Sequence, residues 1–472
     1  MTPTILWSKA KTSIKRFFVP FVWTVLLFGL FCYETFFEFE PVFDAWAYPA
    51  YQNQMFSLWT TFAFGFAMSL LATVFVEYAV SKPNIWEKFG RGLSLTPITA
   101  SFLSAIVYFW AKYAGPDDMI FIMQFIGTLL VIGLLVVYFI IYNYPSNAIG
   151  KLVKQVLWGG LITGILCGGV SLLIWAVYQL IWQFPDAYKV YEVVIMLFVF
   201  IFFFNFVLAG IPKREEKEEA GKIFKAIFGY VVMPIFMILQ VILAIYLIKS
   251  LIMWNFSASM FGYFIASAGC LFFGLYFLLK QFGNFDKILK ISAWVQLFLI
   301  PVGIYSLVLR LHNYGCTEMR YALFALYIVL FIYAIFALIK KGEWTRHIFG
   351  ILAIVVIIAS VTPFNIQRAT YLSQEARFIA LLQKHEALND DFSIQKVKYK
   401  TIEEYMEVYD LWNSNICYSP YLRKEWKKYK DIESHDSDIR YYDPYESFFL
   451  KKKFTDEQWE KYENARWDEE LD

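Results

Sequence analysis

Hydrophobic and polar positions alternate along this chain in long blocks. Apolar stretches run near 17–37, 55–78, 95–112, 119–142, 156–182, 190–210, 226–248, 258–279, 291–309, 321–339 and 347–364. A hydrocarbon core about 30 Å thick needs about 20 apolar residues per crossing helix. The pattern therefore predicts an all-α, polytopic transmembrane bundle of about eleven spans over residues 17–365, after a short N-terminal segment, 1–16. A polar tail, 366–472, follows, and is expected to form a small, mainly helical domain. Ile366, Ala369, Leu372, Ala376, Ile379 and Leu382 recur at helical spacing, and because this first tail helix begins at the membrane exit after Pro363 it is expected to lie on the bilayer surface. Thr401-x-x-Glu404 and Thr455-x-x-Gln458 read as capping boxes of two further helices.

Charge orients the spans. With the N-terminus in the cytoplasm, the inner connections carry twenty Lys and Arg and the outer ones five, as the positive-inside bias requires. An odd number of spans then puts the tail outside the cytoplasm. The tail holds 17 basic and 23 acidic residues; it is expected either to pack over the outer loops or to form a separate binding module for an envelope protein.

Composition sharpens the class. Apolar residues make up 59% and charged residues 17%, against about 45–50% and about 25% in soluble domains. The four histidines are too few for a histidine-box di-iron enzyme. No nucleotide-binding loop, serine-hydrolase elbow, zinc-protease helix or paired CxxC is present. The sequence thus names no cofactor, metal or catalytic group. Without an aromatic-laced basic face it points away from nucleic acid, leaving the lipid bilayer as the certain partner.

One polar locus stands out between the ninth and tenth spans. It reads Arg310-Leu-His-Asn-Tyr314-Gly315-Cys-Thr317-Glu318-Met-Arg320-Tyr321. Gly315 is placed to close one helix through a positive φ. Thr317 is a candidate N-cap of the next, and Glu318 suits its positive end. Arg310 and Arg320 lie on the side that positive residues avoid, so each needs a partner. Two readings stay open. One is a functional site. The other is snorkelling to phosphates together with an Arg–Glu clamp between helices.

The string Arg310-x3-Tyr-Gly-x-Thr-Glu-x-Arg-Tyr321, with Pro363-Phe-Asn365, Ser373-Gln374 and Arg377 after the last span, resembles the bacterial membrane family named domain of unknown function 4153. The resemblance implies a bacterial inner-membrane protein and carries no activity with it.

Other positions fit structural roles. Glu34 and Glu77 suit end-of-span anchoring. Gln124, Gln179, Asn205, Gln240 and Gln296, about one per helix, suit hydrogen bonds between helices. Gly160-x3-Gly164 and Gly164-x3-Gly168 are ridges for close helix approach. Pro97 and Pro301 suit helix beginnings, and Pro234 a kink. Asp117-Asp118 suits a helix cap. Cys316 and Cys417 are a candidate disulfide across the tail. These features support, in order, a sensing, scaffold or assembly protein, a transporter or lipid flippase, and an envelope enzyme acting on a lipid or lipid-linked sugar.

Overall fold

A computed structural model describes residues 11, 13–36, 48–80, 95–116, 118–143, 148–180, 186–211, 225–253 and 259–384. The helices expected at Thr401 and Thr455, the charge run at 213–219, Asp117 and Cys417 lie outside them. Every regular element among the described residues is helical. In chain order they are α1 (Phe18–Phe36), α2 (Tyr48–Val80), α3 (Thr96–Phe102), α4 (Ser104–Ala114), α5 (Met119–Asn143) and α6 (Ala148–Leu180). Then come α7 (Ala187–Leu197), α8 (Phe204–Ala209), α9 (Met233–Met253), α10 (Ser259–Leu279), α11 (Asp286–Tyr314), α12 (Glu318–Leu338), α13 (Ile348–Ser360) and α14 (Ile366–Lys384).

Nine helical stretches among the described residues are long and apolar enough to cross a membrane. They coincide with nine of the eleven apolar blocks. The other two differ for local reasons. The block 95–112 is broken at Leu103, whose N–H reaches Ala100 O and Ser101 O in a tightened turn. Ser104 Oγ donates to Ser101 O at 2.6 Å, so a hydroxyl takes up a carbonyl at the break. The last block is shortened because its helix stops at Ser360 and the chain turns through Val361–Phe364, leaving 13 residues for α13.

The chain divides into two compact units. The first comprises residues 1–304 and 326–360. In it α2 packs against α1, α3, α4 and α5, and α5 packs against α13. Phe17, Val74, Val136, Ile140, Leu208 and Ile211 form one buried cluster. Small residues set several approaches: a Cβ on Gly65 would meet the Trp23 indole at 2.5 Å, and one on Gly303 the Tyr327 hydroxyl at 2.7 Å. The expected glycine ridges of α6 do not act this way. Space is open at Gly160, Gly164 and Gly168, and the neighbouring Gly159 meets Phe206 instead.

Two widened π-helical turns interrupt the bundle, at Phe198–Phe203 and Ala226–Val232. A π turn shifts the hydrogen-bond ladder and frees carbonyls. Asn205 Nδ2 answers the first, donating to Ile201 O at 2.8 Å and Phe200 O at 3.4 Å. Pro234 follows the second, where a missing N–H is tolerated. Pro97 begins α3 as expected. Pro301, expected at a helix start, lies inside α11. The second unit comprises residues 305–325 and 361–472.

Candidate functional site

The polar locus of the sequence lies in the second unit. Helix α11 ends at Tyr314 and Gly315 turns the chain with φ +69°. Thr317 takes the N-cap position, its carbonyl accepting from Tyr321 N at 2.9 Å. Glu318 stands in the first turn of α12. Gly315 and Glu318 thus stand where the sequence placed them, and Thr317 holds the N-cap position through its backbone carbonyl.

Its wider role is a clamp on α14. Ser373 Oγ accepts from Cys316 N at 2.8 Å. Gln374, buried, donates through Nε2 to Cys316 O at 2.6 Å and to Tyr314 O at 3.3 Å. Tyr321 Oη donates to Phe364 O at 2.7 Å. Arg320 Nη1 donates to Gly315 O at 2.8 Å and Tyr314 O at 3.1 Å, and its guanidinium lies 5.6 Å from the Tyr314 ring centroid. Arg320 thus serves the orphan carbonyls at the end of α11, where a cation is also favoured by the helix dipole. The second sequence reading named an Arg–Glu clamp; the clamp is instead built from backbone carbonyls and the amide and hydroxyl of α14. Cys316 is a free thiol. Burial pushes it up from its ordinary value, with Thr370 and Arg320 acting the other way, so it is a neutral thiol at pH 7.

Asn365 starts α14, its Oδ1 accepting from Arg368 N at 2.8 Å. The face this helix buries is not the apolar stripe seen in the sequence. The buried positions are Gln367, Thr370, Tyr371, Gln374, Phe378 and Leu381, whereas Leu372 and Ala376 face outward. That face combines apolar packing by Tyr371, Phe378 and Leu381 with a donor, Gln374, for the carbonyls of Tyr314 and Cys316.

The remaining polar residues lie in the first unit. Arg16 and Glu77 form a bidentate ion pair, Nε–Oε1 2.5 Å and Nη2–Oε2 2.7 Å, and Arg16 Nη1 donates to Ile211 O at 2.7 Å. Glu77 is therefore a staple, and Arg16, which the sequence offered only as an inner positive charge, is its partner. Glu34 accepts from Trp59 Nε1 at 2.7 Å. Asp118 Oδ1 caps α5 through Ile120 N and Phe121 N. Gln240 donates to Ser292 O at 3.3 Å. Gln296 is fully buried, and neither of its amide atoms has a hydrogen-bond partner among the described residues. A groove of about 510 Å³, walled by α1, α2, α3 and α4 and lined by Trp23, Leu26, Ile98, Phe102, Ala105 and Phe109, passes the break at Leu103. Among the described residues no group of three His, Cys, Asp or Glu could hold a metal ion.

Comparison of the chain with protein-family models, with curated proteins and with solved structures finds no match.

Proposed function

We propose that this protein is a non-enzymatic, multi-pass component of a bacterial inner membrane that senses, scaffolds or assembles with envelope proteins through residues 366–472. The observation that carries the reading is how the motif spends its polar groups. Cys316 N–H, Gln374, Tyr321 and Arg320 all bond the protein's own backbone or side chains, fixing the start of the C-terminal segment. Groups so engaged position a segment; they do not converge on a substrate. The charge bias of the connections supports an extracytoplasmic tail, and the resemblance of the Arg310–Tyr321 string to domain of unknown function 4153 supports the bacterial inner membrane.

The test is native mass spectrometry of protein extracted gently from its own membrane, intact and lacking residues 388–472. A protein partner held by the intact chain in fixed ratio and lost from the truncated one, at equal accumulation, is the expected result. Identical assemblies from both chains would refute the proposal.

A transporter or lipid flippase is the second reading, favoured by the lateral groove beside a broken helix and by the buried amides of Gln240 and Gln296. Irregular backbone at membrane depth is tolerated where it lines a cavity. It predicts lipid or solute flux in proteoliposomes that Arg310→Ala or Arg320→Ala reduces at unchanged abundance.

A further inference from the structure

Helix α14 has two distinct faces. A surface helix turns its main apolar stripe toward the protein, and Tyr371, Phe378 and Leu381 lie inward here with Gln367, Thr370 and Gln374 beside them, all less than one-tenth exposed. Leu372 on the other side is 47% exposed. The outward apolar surface extends beyond the helix: Phe364, just before its first turn, is 73% exposed, and Met319 at the start of α12 is 68% exposed. The same unit contains the ends of two membrane-length helices, which expose Val308 and Phe324. The outward face of α14 therefore continues a surface of the kind those helices offer to lipid.

Charge on this face is placed to match. Arg368 is exposed one turn from Leu372, four residues on from Phe364. Arg377 is half-buried, donating to Tyr314 O at 3.5 Å. The acids among the described residues of the unit are Glu375, which accepts from Tyr371 Oη at 3.0 Å, and the exposed Glu318. An apolar ridge carrying an outward arginine is the pattern of a helix lying in a membrane interface. There the apolar side chains reach the acyl boundary and the guanidinium binds phosphate.

We infer that α14 is an interfacial helix. Phe364 and Leu372 rest against acyl chains of a phospholipid layer, and Arg368 binds the phosphate groups above them. Both faces are then covered: lipid meets Phe364 and Leu372, and the protein meets the inner face, where Gln374 reaches the carbonyls of Tyr314 and Cys316. The inference is independent of whether a protein partner binds residues 388–472.

The experiment is photo-crosslinking of the full chain in nanodiscs of mixed phosphatidylglycerol and phosphatidylethanolamine. p-Benzoylphenylalanine replaces Leu372 in one variant and Phe364 in another; the second is an aromatic-for-aromatic change at an exposed site, which guards against misfolding. After irradiation and trypsin, the peptide 369–377 from the first variant is expected to carry a phospholipid mass. In the second variant the lipid mass is expected on the peptide containing position 364. Arg368→Gln in the Phe364 variant should lower the phosphatidylglycerol share of adducts at least twofold. Adducts to residues 385–472, to another copy of the chain or to a different protein would overturn the inference. So would an absence of adducts at both positions, because a water-facing benzophenone finds no C–H partner. An unchanged phosphatidylglycerol share would overturn the assignment of phosphate to Arg368. A cross-link to a protein partner would sink this inference while favouring the scaffold reading, so the two fail separately.

Discussion

Removing either half of the Arg16–Glu77 pair should weaken the first unit far more than removing both. The guanidinium and carboxylate meet through two hydrogen bonds, with side chains 14% and 24% exposed. Arg16 also holds Ile211 O, so three separate stretches of chain meet at one group. Glu77→Leu leaves a cation in a largely dry site, and stranding one partner of a buried pair costs about 3–5 kcal/mol. Residual exposure argues for the lower end, about 3 kcal/mol. Replacing both, as Arg16→Met with Glu77→Leu, removes the charges along with their desolvation cost, and such apolar replacements are often neutral. The lost bond to Ile211 O still costs about 1 kcal/mol. Glu77→Leu alone should therefore be about 2 kcal/mol less stable than the double variant, and a double-mutant cycle should show the two single variants to be far from additive. The assay is reversible unfolding in mixed micelles with increasing denaturing detergent, followed by tryptophan fluorescence. On heating, Glu77→Leu should lower Tm by about 5–10 °C. Additive single and double variants, with no coupling, would refute the reasoning, because the pair would then be a solvent-screened contact of little worth.

Two further outcomes follow from the packing and from the thiol. Gly303→Ala would place a methyl 2.7 Å from the buried Tyr327 hydroxyl, which itself donates to Gly262 O at 2.5 Å. It should cost about 1–3 kcal/mol by overpacking, and Tyr327→Phe in the same chain should recover part of the loss in the same unfolding assay. Cys316 is held neutral by burial, so its alkylation by iodoacetamide in the folded protein should follow a titration with its midpoint above that of an ordinary cysteine thiol. The unfolded chain should titrate at lower pH, and coincident profiles would show that the thiol is not buried.

What the sequence determined by itself was whatever depends on local chemistry and on transfer from water to hydrocarbon. Nine of the apolar blocks are membrane-length helices because that many consecutive apolar residues have one stable environment and one backbone that satisfies itself there. Gly315 and Asp118 took the turn and cap roles their residue types dictate. The tertiary structure decided everything that rests on a distant partner. Arg16 and Glu77 are 61 residues apart, and nothing in either neighbourhood announces the other. The α6 glycines looked like a packing ridge, yet only a neighbouring helix can make one, and here Gly159 has that neighbour. Leu103 breaks a helix that periodicity alone would continue. The partners of α14 were least legible of all: Gln374 turns inward to the carbonyls of Tyr314 and Cys316, some 60 residues earlier, and no local pattern announces that pairing.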